Sequence, residues 1–142
     1  MRKMMVGALV ALVLTPALAA PALDPASSEK GELMKVLDVV LLFNLAEKNT
    51  HSRSGRFVSY SELVKSGALA ETSKGSLSRA YKTLRLENET EPLEGYGLAM
   101  MVSPDGTAYK LSLEQKKKCG AAFFTSGTGV IYFGKPLGCP AN

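Results

Sequence analysis

His51 is the only histidine in a chain of 142 residues, and Cys119 and Cys139 are its only cysteines. Zinc sites built from four Cys and His ligands are excluded by that count. Any Ser-His-Asp or Cys-His centre has to use His51, which stands beside Ser52 and Ser54 in a polar stretch spanning 49–56. A general base also needs a nucleophile and an orienting carboxylate within hydrogen-bond reach, and the order of residues supplies neither. A solvated loop histidine is therefore the expectation. Glu87, Glu89, Glu91 and Glu94 form an acidic cluster that invites a cation or a pair of catalytic carboxylates. The cluster lacks the Asp-x-Asp-x-Asp-Gly loop of a calcium-binding hand and falls in a helix-to-strand connection, where solvated charge is common. Ser126-Gly127-Thr128-Gly129 has the glycines of a phosphate cradle. Such a cradle leads from a strand into a helix and usually brings a Lys, whereas this segment joins two strand-like runs, as hairpin glycines do. Lys116, Lys117 and Lys118 are the candidate contact for an anionic surface, with the modest, salt-sensitive attraction of three lysines. No catalytic, cofactor-binding or metal-ligating set emerges. The expectation is a non-enzymatic protein with no cofactor.

The segment ahead of these residues reads as an address. Arg2 and Lys3 precede an apolar run from Met4 to Leu14, then Thr15-Pro16 and the small residues of Ala17-Leu18-Ala19. That order is the layout of a secretory signal peptide. Cleavage is placed after Ala19, because cutting after Ala20 sets Pro21 against the scissile bond. The apolar run makes only ~16 Å of helix against a hydrocarbon core of ~30 Å, so a membrane anchor is the poorer account. With 1–19 removed, 15 Lys and Arg remain against 13 Asp and Glu, a balance of +2. A domain of that charge carries no large field for nucleic acid or membrane. Export means oxidising conditions, and two cysteines allow one pairing, Cys119 with Cys139. Closing a loop of about 20 residues is worth roughly 3 kcal/mol on the chain-entropy account.

The mature chain reads as an extended Pro- and Ala-rich leader over 20–28 and one domain over 29–142. Ser27 or Ser28 can cap a helix from Glu29 to about Asn49, with Glu29 and Glu32 in its first turn. That helix is apolar on nearly all sides, interrupted by Lys35, Asp38 and Asn44, and so has to be covered over most of its circumference. Residues 49–56 are expected to form a polar loop. Ser59 and Glu62 have capping-box spacing and start a short helix closed by Gly67. Leu77, Ala80, Tyr81 and Leu84 recur at helical spacing within 75–88, while the Leu84/Leu86 alternation supports a competing strand. Asn88-Glu89-Thr90 is a glycosylation sequon, relevant only where that machinery exists. From Gly95 the period becomes two. Strands at 96–102 and 107–113 flank the turn Ser103-Pro104-Asp105-Gly106, and strands at about 121–125 and 129–133 flank a second turn. Helices followed by an antiparallel meander of about four strands make an α+β fold.

In order, the apolar helix, Phe57-Val58-Ser59-Tyr60-Ser61-Glu62-Leu63 closed by Gly67, Gly95-Tyr96-Gly97-Leu98, the turn 103–109 and Ala122-Phe123-Phe124-Thr125-Ser126-Gly127-Thr128-Gly129-Val130-Ile131-Tyr132 form a pattern. Over about 30–139 this pattern resembles the globular part of type IV pilins and pseudopilins, most specifically in its last segment. The resemblance implies a helix packed across an antiparallel sheet, and a C-terminal disulfide similar to the bridged loop of many pilins. The chain departs from those proteins at its start. An ordinary cleavage site replaces the short basic leader ending in Gly, and Lys30-Gly31 is followed by Glu32 rather than by a long apolar stem. Polymerisation in the usual manner is therefore not implied.

The resulting expectation is an exported pilin-like accessory or surface-interaction domain, in the periplasm or outside the cell. Its partner is expected to be another envelope or secreted protein, with no nucleic acid and no membrane span after signal cleavage. Two other readings stand beside it. One is a small periplasmic enzyme or ligand carrier with a cleft between helix and sheet, favoured if His51 or the Glu87–Glu94 carboxylates line such a pocket and disfavoured by a solvated loop. The other is an inhibitor that docks through its bridged C-terminal hairpin.

Overall fold

The structure, a computed structural model, describes residues 25–135 and 137–139. The expected signal segment 1–19 and positions 20–24 of the expected leader lie outside the described residues. The remainder is an α+β fold: helices α1 (Pro25–Ser54), α2 (Tyr60–Lys65), α3 (Ala68–Thr72) and α4 (Leu77–Lys82), then strands β1 (Tyr96–Val102), β2 (Tyr109–Gln115), β3 (Ala122–Ser126) and β4 (Ile131–Gly134). The strands lie in one antiparallel sheet in the order β1-β2-β3-β4, a plain meander.

α1 is longer than expected at both ends. It begins at Pro25 rather than Glu29, and proline suits a first turn because its missing N–H has no intrahelical role there. It also runs through the stretch expected to be a polar loop. Ser52 Oγ donates to the Lys48 carbonyl (2.8 Å), Arg53 Nε to Asn49 (3.3 Å) and Ser54 Oγ to Thr50 (2.9 Å). The polar side chains thus bind the last turns of the helix instead of competing with it. Gly55, with φ of 74°, ends it in the left-handed conformation and returns its N–H to the His51 carbonyl at 2.8 Å.

The apolar character of α1 follows from its neighbours. Val36, Val39, Val40, Leu42, Phe43 and Ala46 are all buried. α3 and α4 pack on the helix, and so does β3 of the sheet. α2 starts with the expected capping box: the Ser59 N–H donates to Glu62 Oε2 (3.1 Å), and the Glu62 N–H donates to Ser59 Oγ (3.3 Å). Gly67, at φ 74°, lets a further short helix, α3, follow directly. The helix expected over 75–88 is only α4. Thr83 Oγ1 turns back onto the Ala80 carbonyl (2.7 Å), and the Asn88 side chain accepts from the Glu91 N–H (3.1 Å). The chain beyond α4 is then a folded loop closed by Arg85 N–H on the Pro92 carbonyl at 2.7 Å.

Register assigns the two sheet faces. Leu98 opposes Leu113, Met100 opposes Leu111, Leu113 opposes Phe123 and Thr125 opposes Ile131, all on the face toward α1. Tyr96 ties this face to the helix by donating its hydroxyl to Glu32 (3.0 Å), and burial with that carboxylate beside it raises the phenol's pKa. The Ser103–Gly106 turn between β1 and β2 docks on the segment after α1, where the Phe57 N–H donates to the Gly106 carbonyl at 2.8 Å. Cys119, between β2 and β3, is bonded to Cys139 with 5.4 Å between Cα atoms, the pairing expected for an exported chain. Among the described residues no helix is long and apolar enough to cross a membrane.

Candidate functional site

The strand alternation that sends Tyr109, Leu111 and Leu113 into the core sends Lys110, Ser112 and Glu114 to the opposite face. Among the described residues no helix packs there. Its central cross-strand row is Ala99, Ser112, Phe124 and Tyr132, one residue from each strand. Met101 lies in the next row, opposite Lys110. Met101 is 66% exposed, Tyr132 62% and Phe124 43%. Together with Ala99 and Lys110 they line a shallow groove of about 360 Å³ in which Lys110 is the one charged side chain among the described residues.

A second concavity lies between the C-terminal half of α1 and the β3–β4 turn. Leu41, Asn44, Lys48, His51 and Ser52 follow one another at helical spacing on one face of α1, opposite Gly127–Gly129. The cleft measures about 330 Å³. Its floor is a buried polar network. Asn44 Oδ1 accepts from the Tyr109 hydroxyl and from Thr125 Oγ1 (3.0 Å), while Asn44 Nδ2 donates to the Gly129 carbonyl at 3.3 Å. That last bond ties the hairpin turn to the helix. Burial, with the Glu47 carboxyl nearby, pushes the Tyr109 phenol up to about 12. Phe57 forms a wall, its ring centroid 4.3 Å from His51 and 4.8 Å from Tyr109. The turn lies close against that wall: a Cβ on Gly127 would meet the Phe57 ring at 3.2 Å.

His51 is thus a half-buried residue of the last helical turns, where a solvated loop position was expected. The cause is the extension of α1 and the Phe57 ring stacked on the imidazole. The side chain accepts and donates no hydrogen bond among the described residues, and no Asp or Glu lines its cleft. The arrangement suits binding; a nucleophile–base–carboxylate relay is not assembled around it.

Glu47, which the sequence reading overlooked, is 0% exposed. One carboxyl oxygen accepts from the Val58 N–H at 3.2 Å and the other has no hydrogen-bond partner. Burial in this apolar setting raises its pKa to about 7, against the lowering effect of the Val58 bond. The apolar stripe Val36, Val40, Phe43 continues to Glu47 at the same 4-3-4 spacing, and that continuation was the available signal.

The lysines and the acidic cluster are separate from both concavities. The three lysines do not act as one cluster: Lys116 Nζ pairs with Glu91 Oε2 at 2.5 Å, while Lys117 and Lys118 are exposed in the β2–β3 turn. Glu91 also accepts from the Gly95 N–H (2.9 Å), and these bonds, Lys116 first, hold its carboxyl below the usual range. It fastens the loop after α4 to the sheet. Glu87 and Glu89 lie near Tyr60, whose phenol is pushed up to about 12 mainly by burial and then by these two charges. Among the described residues no three His, Cys, Asp or Glu side chains converge as metal ligands. Ser126–Gly129 is a hairpin turn, with the Gly129 N–H on the Ser126 carbonyl at 2.8 Å.

No family model matches the chain, and neither a curated protein nor a solved structure matches it.

Proposed function

We propose that this chain is an exported, non-enzymatic, pilin-like interaction domain that holds another envelope or secreted protein on its open sheet face. The observation that carries the reading is the exposed set Met101, Phe124 and Tyr132 on a face that no helix among the described residues covers, while α1 covers the other face of the same sheet. Exposed apolar patches of this kind mark interaction sites, and Met and aromatic residues are enriched at the centres of interfaces. A long helix lying against a four-stranded antiparallel meander, with a disulfide near the C-terminus, supports the pilin-like part of the reading. The basic, apolar and small-residue order of 1–19 and a disulfide, a bond of oxidising compartments, support export.

The test is capture from envelope extracts on immobilised oxidised protein, with the wild type beside a Met101→Asp/Tyr132→Asp variant. Both substituted side chains are exposed, so the fold is expected to survive. A protein retained by the wild type and lost by the variant supports the reading. Equal retention by both overturns it, and so does substrate turnover that disappears in His51→Ala.

A further inference from the structure

We infer that the cleft between the C-terminal half of α1 and the β3–β4 turn binds a small organic carboxylate carrying an aromatic or branched apolar group. This is a second site, on the opposite side of the sheet from the proposed docking face. The apolar part of the ligand has Leu41, Leu45 and the Phe57 ring to lie against, with His51 stacked on that ring. A volume of about 330 Å³ is at the small end of ligand sites and holds one ring with a short acid arm.

The anionic part has Lys48 and the Thr128 hydroxyl at the rim. The backbone N–H groups of Gly127 and Thr128 donate to no other group among the described residues, and both residues line the cleft. A helix C-terminus ordinarily repels an anion through its free carbonyls. Here the His51 carbonyl is engaged by the Gly55 N–H, and the cleft meets α1 along its side, through Leu41, Asn44, Lys48, His51 and Ser52, rather than past its last carbonyls. Among the described residues no acidic side chain lines the cleft, and the nearest carboxyl along the helix, Glu47, is turned to the Val58 N–H. The cleft is also held open in a fixed shape. Asn44 spans from the floor to the Gly129 carbonyl, and the Gly127 backbone lies against Phe57 with no side chain between them. A neutral apolar ligand makes no use of the Lys48 charge, and that difference is the basis of selectivity.

The test is titration of the isotope-labelled, disulfide-bonded protein with phenylacetate and, separately, with its neutral isostere phenylacetamide, followed by amide chemical shifts. Phenylacetate is expected to move the Gly127, Thr128 and His51 resonances and to bind about tenfold more tightly than the amide, as one charge-assisted contact provides. Lys48→Met keeps the exposed stem and removes the charge, so it is expected to bring the two affinities together at unchanged thermal stability. Equal binding of acid and amide by the wild type overturns the inference. So do shifts confined to other parts of the protein, or no shift with either compound at 10 mM, a concentration chosen as roughly tenfold above a millimolar constant.

Discussion

At the scale of single residues, Glu47 makes the sharpest demand. A fully buried carboxyl with one hydrogen bond favours the neutral form, and its pKa is raised from 4.5 to about 7. The charged neighbours facing it are Glu62 and, once ionised, Tyr109, and neither relieves it. Between these two pKa values the folded state binds more protons than the unfolded state, so stability falls as pH rises from about 4.5 to 7 and is flat above. The size of that fall is about 3 kcal/mol, from 1.36 kcal/mol per unit. Glu47→Gln keeps an acceptor for Val58 and removes the titration. Denaturant unfolding at pH 5 and pH 8 is expected to show the fall in the wild type and its absence in the variant; the same slope in both refutes the assignment. Glu47 could be recognised only by extending the stripe of Val36, Val40 and Phe43, because a Glu beside a Lys near a helix end usually faces water. His51 shows the opposite case. Its chemistry was legible, but its surroundings come from Phe57, six residues on, and from a turn 76 residues away at Gly127.

At the scale of elements, the β1–β2 turn does more than reverse the chain. Asp105 accepts from Ser103 Oγ (2.6 Å), from the Thr107 N–H (3.1 Å) and from Thr107 Oγ1 (2.8 Å), and these bonds, Ser103 first, pull its pKa down to about 2. Gly106 then presents its carbonyl to Phe57 with φ of 71°, and a Cβ there would stand 2.8 Å from the Arg56 Cβ. Gly106→Ala combines a disfavoured backbone with a collision between two short, inflexible groups. A loss of about 2 kcal/mol is expected by denaturant unfolding, and a loss under half of that argues against the dock. The turn itself was plain from Pro104, Asp105 and Gly106. Its seat on Arg56 and Phe57 was not, since no local pattern encodes a contact 50 residues distant. The strands were legible because alternation over seven residues, as in Tyr109–Gln115, survives an error of two in the boundaries. α3 was not, because five residues complete little more than one helical turn and leave no period to detect. α1 was under-read at its end for a different reason. Thr50, Ser52 and Ser54 look like loop residues by composition, yet the hydroxyls of Ser52 and Ser54 serve the helix they extend.

At the scale of the whole molecule, the layering was legible and the division of labour between faces was not. An all-round apolar helix required cover on several sides, and α3, α4 and the sheet provide it. Which strand face is left open depends on where α1 settles, and that is a tertiary outcome. The bridge between Cys119 and Cys139 closes the last two strands into one loop, with a sequence separation of 20. Replacing both cysteines by serine is expected to cost roughly 3 kcal/mol, read as a lower denaturation midpoint. An unchanged midpoint contradicts that, as do two alkylatable thiols found by intact mass without reductant. The same bridge alters the response of the molecule to tension. A pull applied at the two ends crosses from Cys139 to Cys119 through sulfur, so the covalent path bypasses β3 and β4. At about 3.4 Å of taut chain per residue, the ring conceals roughly 70 Å of slack. A stretched molecule stops short by that length, and the chain bearing Phe124 and Tyr132 is drawn out only when a reductant opens the ring.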